Sequence, residues 1–155
     1  MNHLLIKALI AFLLLPGMVA FVIPAFLIAP RHLRPFDYRL GLLPLAAGTI
    51  VLCWCVREFY VAGRGTLAPW APPTSVVVTG PYRFSRNPMY VAVLLILCGW
   101  AVGYRSRALA IYAVAIATAF HLRVVYYEEP LLARMHPDAW TGYRARVSRW
   151  FGRAH

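Results

Sequence analysis

Pro88–Tyr104 and Ala108–Tyr127, which read PMYVAVLLILCGWAVGY and ALAIYAVAIATAFHLRVVYY, are two apolar runs joined only by Arg105-Ser106-Arg107. The first is 17 residues long without a charge, and the second carries a single charge, Arg123, near its end. Runs of this length at a helical rise of about 1.5 Å per residue suit a hydrocarbon layer of roughly 30 Å. So short a connector folds the pair into an antiparallel helical hairpin, spans three and four of a membrane protein.

Two further runs precede the hairpin. Ala8–Ala29 has 22 residues without a charge, long enough to cross a bilayer, and is interrupted by Pro16 and Pro24. Neighbouring helices can satisfy the carbonyls that proline frees, so both prolines are tolerable bends. The run is too long for a signal-peptide core and no small-x-small cleavage site follows it, so a retained span is expected. Leu40–Val56 continues past Arg57-Glu58 to Ala62 as span two, with Arg57 and Glu58 expected to snorkel to the interface. Residues 63–87 hold Gly63, Gly65, Pro69, Pro72, Pro73, Gly80 and Pro81 and read as an irregular loop. The expected organisation is an all-α polytopic membrane protein with about four transmembrane helices. Residues 1–62 carry two spans, and residues 63–155 form a core of loop 63–87, hairpin 88–127 and tail 128–155.

Composition agrees with this reading. The chain of 155 residues is 61% hydrophobic and 14% charged, whereas soluble domains carry about a quarter charged residues. Sixteen Lys+Arg against five Asp+Glu leave a formal net charge of +11. The cations punctuate apolar runs instead of forming a stripe on a polar domain, which argues for a membrane partner and against nucleic acid. With the N-terminus cytoplasmic, eleven cations (Lys7, Arg57, Arg64, Arg83, Arg86, Arg123, Arg134, Arg144, Arg146, Arg149 and Arg153) fall inside, against Arg31, Arg34, Arg39, Arg105 and Arg107 outside. That asymmetry favours cytoplasmic N- and C-termini. Cys53, Cys55 and Cys98 lie within spans and the five histidines lack ligand spacing, so no metal site is expected.

Two polar clusters flank the hairpin. Thr79-Gly80-Pro81-Tyr82-Arg83-Phe84-Ser85-Arg86-Asn87-Pro88-Met89-Tyr90 leads into span three, with Asn87 as N-cap and Pro88 at the first helical position. Span four closes with His121-Leu122-Arg123-Val124-Val125-Tyr126-Tyr127-Glu128-Glu129-Pro130. Two adjacent carboxylates at a helix C-terminus oppose the helix dipole, so local stability does not explain them. Each cluster alone also reads as a helix cap with topology-setting arginines, or as a structural Arg123–glutamate pair. The hairpin brings Arg83, Arg86, Asn87 and Tyr90 near Arg123, Tyr127, Glu128 and Glu129 on one side of the membrane. Both signs of charge beside a lipid-facing flank suit a zwitterionic cofactor and an amphiphilic substrate.

In the tail, Pro137-Asp138 starts a helix on which Trp140, Tyr143, Val147 and Trp150 recur at steps of three, four and three, with Arg144, Arg146, Arg149 and Arg153 mainly off that stripe. A basic amphipathic helix lying on anionic headgroups is the direct reading, and docking over the site is compatible with it.

The ordered combination of Gly80–Tyr90, Glu128-Glu129-Pro130-Leu131-Leu132 and Tyr143–Trp150, over about residues 74–151, resembles the isoprenylcysteine carboxyl methyltransferase family, to which the phospholipid N-methyltransferases are related. The resemblance implies an integral-membrane enzyme that binds S-adenosylmethionine at the cytosolic ends of its last spans and takes a lipophilic acceptor from the bilayer. It places the family's Arg-His-Pro-x-Tyr motif on Arg86, Asn87, Pro88 and Tyr90, and its glutamate pair on Glu128 and Glu129. Tyr82, Arg86, Asn87, Pro88, Tyr90, Tyr127, Glu128 and Glu129 are thus expected around the cofactor, with Arg86, Arg123 and Glu128 at the reacting centre.

The chain departs from the pattern at Asn87 for histidine, Ala92 for a common glycine and His136-Pro137 for Phe-Gly. Asn87 hydrogen-bonds but cannot become charged near neutral pH, which argues against a base there. Methyl transfer from a sulfonium is an in-line displacement, so placement and charge carry it. A carboxylate acceptor needs no base, whereas an amine would need Glu128 or Glu129. A phospholipid N-methyltransferase, a sterol-reductase-type enzyme and a non-catalytic membrane protein are the alternatives.

Overall fold

The computed structural model describes residues 13–28, 35–61 and 76–151. Expectations for Lys7, Arg31, Arg34, Arg64 and Arg153, for loop residues 63–75 and for the start of the first span lie outside the described residues. A π-helical segment, Leu13–Val22, runs into α1 (Ile23–Ile28), and α2 follows at Tyr38–Val61. A 3-10 turn at Gly80–Arg83 precedes α3 (Pro88–Gly103) and α4 (Arg107–Arg123). A π turn at Val124–Glu128 joins α4 to α5 (Glu129–Met135), and α6 is Pro137–Arg144.

The fold is all-helical, with no strand among the described residues. Tyr38–Glu58 and Arg107–Met135 are long and apolar enough to cross a membrane; Pro16–Ile28 and Pro88–Gly103 are apolar but shorter. Helix length therefore supports two of the four expected crossings.

Small residues let α2 and α3 pack antiparallel at close range. A Cβ on Gly48 would lie 2.7 Å from the Ala92 carbonyl oxygen, and one on Gly99 2.7 Å from Leu45. Leu52, Ala92, Val93, Ile96 and Leu97 fill the core together with Ala20. In membrane proteins such backbone proximity replaces hydrophobic driving force with packing.

The first helical segment docks through its irregularity. Pro24 lacks an N–H, which leaves the carbonyls about one turn before it without their usual donor. Trp100 Nε1 donates to the Ala20 carbonyl at 3.0 Å, and the Tyr112 hydroxyl donates to that of Val19 at 3.1 Å. The neighbouring helices thus satisfy the interrupted ladder.

The hairpin is as expected, and its turn is tight. Arg105 sits at φ 50°, and the Ser106 hydroxyl accepts the Leu109 amide at 3.4 Å as an N-cap. Asp37, leading into α2, donates its amide to the Gly103 carbonyl at 2.8 Å and pairs with Arg105 at 3.1 Å. This clip closes the end of the bundle opposite the polar clusters.

Three expectations are corrected. Glu128 and Glu129 do not end a helix, because the π turn carries α4 onward to Met135, so the dipole argument against them loses its premise. Glu58 does not snorkel; it is 8% exposed, whereas the Arg57 side chain is 68% exposed. The tail helix ends at Arg144, and its stripe of Trp140, Tyr143 and Val147 is buried against Val76 and Leu132 instead of facing outward.

Candidate functional site

The π turn decides how the glutamate pair is used. Widening the helix by one residue per turn places positions i and i+5 on one face, so Arg123 Nε reaches Glu128 Oε1 at 2.7 Å. The Tyr90 hydroxyl donates to the same oxygen, and Arg123 Nε also donates to the Tyr90 oxygen at 3.2 Å. Tyr90 is fixed from the other side by stacking on Phe120, with ring centroids 4.2 Å apart. One residue on, the helix has turned by nearly a quarter circle and Glu129 faces a different pair of cations. Arg86 Nη1 lies 3.1 Å from Glu129 Oε1, and Arg149 donates to both Glu129 oxygens, from Nε at 2.9 Å and Nη2 at 2.8 Å.

Arg86 is the most enclosed member, its side chain 9% exposed. Its guanidinium carbon sits 5.2 Å from the centre of the Trp140 ring, a cation–π contact. Burial lowers its pKa from the ordinary arginine value, and the Glu129 carboxylate opposes that. Its Nε and Nη1 have no hydrogen-bond acceptor, the Glu129 approach being an ion pair without hydrogen-bond geometry. Buried donors are normally satisfied, so Arg86 has hydrogen-bonding capacity left for an acceptor. Arg149 keeps its charge even more firmly, its pKa raised by the hydrogen bonds to Glu129.

Asn87 caps α3 by position and not by its side chain, which donates from Nδ2 to the Arg149 carbonyl at 3.1 Å. Ser85 Oγ donates to the same carbonyl at 3.3 Å, and the Arg86 amide donates to the Ser148 carbonyl at 3.0 Å. The segment before α3 is thereby laced to the tail. Tyr143 completes the lacing, its hydroxyl donating to the Tyr82 carbonyl at 2.7 Å. Burial raises the pKa values of both Tyr82 and Tyr143, so each phenol stays protonated at neutral pH.

Of the expected site residues, Tyr90 and Arg123 gather on Glu128, Arg86 pairs with Glu129, Asn87 binds the carbonyl of the Arg149 that grips Glu129, and Pro88 is buried at the start of α3. Tyr127 stays at the rim, 55% exposed, with the Arg123 guanidinium 5.5 Å from its ring centre. Tyr82 is buried behind the site and contributes its backbone, and Arg83 is exposed outside the ionic cluster. Arg149, Trp140 and Tyr143 were not expected there. The aromatic stripe marks an apolar face without saying what covers it, and nothing in the sequence sets Arg149 apart from the neighbouring arginines.

Beside the ionic cluster lies an apolar groove of about 380 Å³ between α3, α4 and the tail, lined by Val91, Leu94, Leu95, Ala117, His121, Trp150 and Phe151. It begins one residue past Tyr90 on α3 and one residue past Arg149 in the tail.

A sequence model described as phospholipid methyltransferase matches residues 36–139, which hold α2, the turn before α3, the hairpin and both glutamates. The chain belongs to the phospholipid methyltransferase family. This family of membrane methyltransferases includes the isoprenylcysteine-type enzymes that the sequence motifs resemble. The cobalt-zinc-cadmium resistance protein CzcN of Cupriavidus metallidurans is 32% identical over 122 residues, covering 77% of this chain and 50% of that protein. The nickel-cobalt-cadmium resistance protein NccN of Alcaligenes xylosoxydans xylosoxydans is 32% identical over 114 residues, 73% of this chain and 48% of its own length. The chain thus spans about half the length of these two curated relatives. No solved structure matches it.

Proposed function

We propose that the protein is an integral-membrane methyltransferase that uses S-adenosylmethionine and methylates a lipophilic acceptor, preferably at a carboxylate. The observation that carries this reading is the pair of unsatisfied buried donors on Arg86, set among paired charges where a hydrophobic groove begins. In this reading an amino-acid carboxylate accepts from one of those donors, and the Tyr90, Glu128 and Glu129 oxygens take an ammonium or ribose hydroxyls. S-Adenosylmethionine supplies an electrophilic methyl group on a sulfonium.

The chain's own residues supply binding and charge. Arg86, Asn87, Pro88 and Tyr90 hold the cofactor from the start of α3 and the segment just before it, and Glu128 and Glu129 hold it from the π turn and the first residue of α5. The groove takes the apolar chain of the acceptor, and half-exposed Arg123 draws an anionic head toward the reacting centre. Transfer to a carboxylate oxygen would release no proton, so the chain's residues would have only to bind and align the two partners. An amine would require a free base, and both glutamates are already held by arginines.

The same reading takes Pro16–Ile28 and α3 as crossings beside α2 and α4. It has four spans, cytoplasmic termini, and a division between residues 1–62 and the methyl-transferring core 63–155. The names of CzcN and NccN tie those proteins to metal resistance; the proposal routes no step through a metal.

A product assay with radiolabelled S-adenosylmethionine tests the reading, with isoprenoid carboxylates, fatty acids and aminophospholipids supplied in parallel in detergent. Base-labile methyl esters are expected. Base-stable N-methyl products alone would reject the carboxylate half and favour the phospholipid N-methyltransferase reading. No transfer into any lipid would favour a non-catalytic role.

A further inference from the structure

Glu58 touches none of the residues assigned to the site, yet it is the buried carboxylate of α2. Among the described residues, three donors converge on it. Trp54 Nε1 donates to Oε1 at 3.2 Å, Arg57 Nη1 to Oε1 at 3.1 Å, and Thr79 Oγ1 to Oε2 at 2.6 Å. Trp54 lies one helical turn back and Arg57 is the preceding residue, so among the described residues only Thr79 comes from another element. A buried carboxylate is costly unless its lone pairs are satisfied. Charge-assisted bonds of this length are the strong kind.

Thr79 is the residue before the 3-10 turn Gly80–Arg83, and the turn is fitted to Glu58 in shape as well as polarity. Gly80 adopts φ +57°, where glycine is favoured, and a Cβ there would stand 2.7 Å from Glu58 Cγ. One turn further along the same contact, Cys55 packs with Val77 and Tyr82 in a buried cluster. Tyr82 passes the placement onward, because its carbonyl receives the Tyr143 hydroxyl and so registers the tail that carries Trp140 and Arg149. The amides of Tyr82, Phe84 and Ser85 close the turn by donating to the carbonyls of Thr79 and Pro81 at 3.1 to 3.3 Å, directly before Arg86. From α2 to Arg86 the path is thus Glu58, Thr79, the turn, and the start of α3.

We propose that Glu58 is a positioning residue, which through Thr79 anchors the turn 79–85 and thereby sets where Arg86 and the docked tail stand for cofactor binding. The part concerning the cofactor rests on the methyltransferase reading; the anchoring of the turn does not.

The test compares Glu58→Ala, Thr79→Val, Thr79→Ser and the Glu58→Ala/Thr79→Val double variant in detergent. Amide exchange over residues 82–86 and calorimetric binding of S-adenosylmethionine are measured on the same preparations. Loss of one charge-assisted bond is expected to speed exchange there, and to weaken binding, by about tenfold in each single variant, with α4 amides unchanged. The double variant is expected to be no worse than the more affected single one, and Thr79→Ser, which keeps the hydroxyl, to stay near the unmodified protein.

Unchanged exchange over 82–86 in either folded single variant would overturn the proposal. So would faster exchange with unaltered binding, or single effects that multiply in the double variant. If Glu58→Ala does not fold, Thr79→Val decides, since it leaves the α2 carboxylate in place. If the unmodified protein itself fails to bind S-adenosylmethionine, the cofactor reading falls, and the exchange measurements still decide whether Glu58 anchors the turn.

Discussion

Arg149 grips Glu129 with two parallel hydrogen bonds, 2.9 Å from Nε and 2.8 Å from Nη2, across 20 residues of chain. The contact turns the tail from a peripheral helix into one wall of the site, because Arg149 also presents the carbonyl that Asn87 and Ser85 donate to.

The planar fork is what makes this docking specific, so Arg149→Lys should not substitute for it. Both Arg149→Lys and Arg149→Ala are expected to lower methyl transfer by roughly tenfold, the pair being only partly screened by solvent. They are also expected to open the tail to trypsin. A Lys variant with unchanged rate and unchanged cleavage would show that charge alone suffices.

The two glutamates should not be equivalent. Glu129 has a side chain 13% exposed and holds two arginines, whereas Glu128 is 28% exposed and holds one arginine and Tyr90. Glu129→Gln is therefore expected to weaken S-adenosylmethionine binding more than Glu128→Gln, and the double variant to lose it in calorimetry. Undiminished binding by the double variant would remove the pair from the site.

At the α2–α3 contact, Gly48→Ala drives a methyl group to within 2.7 Å of the Ala92 carbonyl oxygen on rigid backbone. Overpacking of this kind costs on the order of 1–3 kcal/mol. A lowered thermal midpoint in detergent is expected. An unchanged midpoint would mean that the two helices separate without penalty.

The proposed topology is open to labelling in a cysteine-free background. Arg83 and Arg107 are both exposed and lie at opposite ends of α3. Arg107→Cys is expected to react with an impermeant maleimide in intact cells and Arg83→Cys only after lysis. The reverse pattern would invert the orientation.

Asn87 separates a motif from its use. Its position before Pro88 marks the start of α3 in sequence, and the helix does begin there, but the side chain leaves its own helix and binds the tail. Local rules describe the backbone boundary; the side chain's amide donates to a carbonyl offered by a segment 62 residues away. Glu58 shows the same limit. Next to Arg57 at the end of an apolar run it reads as an interfacial charge, and only the return of Thr79 and Gly80 against α2 makes it a buried anchor.

The sequence by itself determined the helical runs, the hairpin at Arg105-Ser106-Arg107 and the meeting of the Arg86–Tyr90 segment with Glu128-Glu129. These follow from hydrophobic run length and connector length, which act locally along the chain. Tertiary structure alone decided that α4 continues through a π turn, that each glutamate takes different arginines, and that the tail folds inward. Those outcomes depend on which donors and acceptors face one another once helices have packed, and a buried ion chooses its partner by distance in space, not by spacing in sequence.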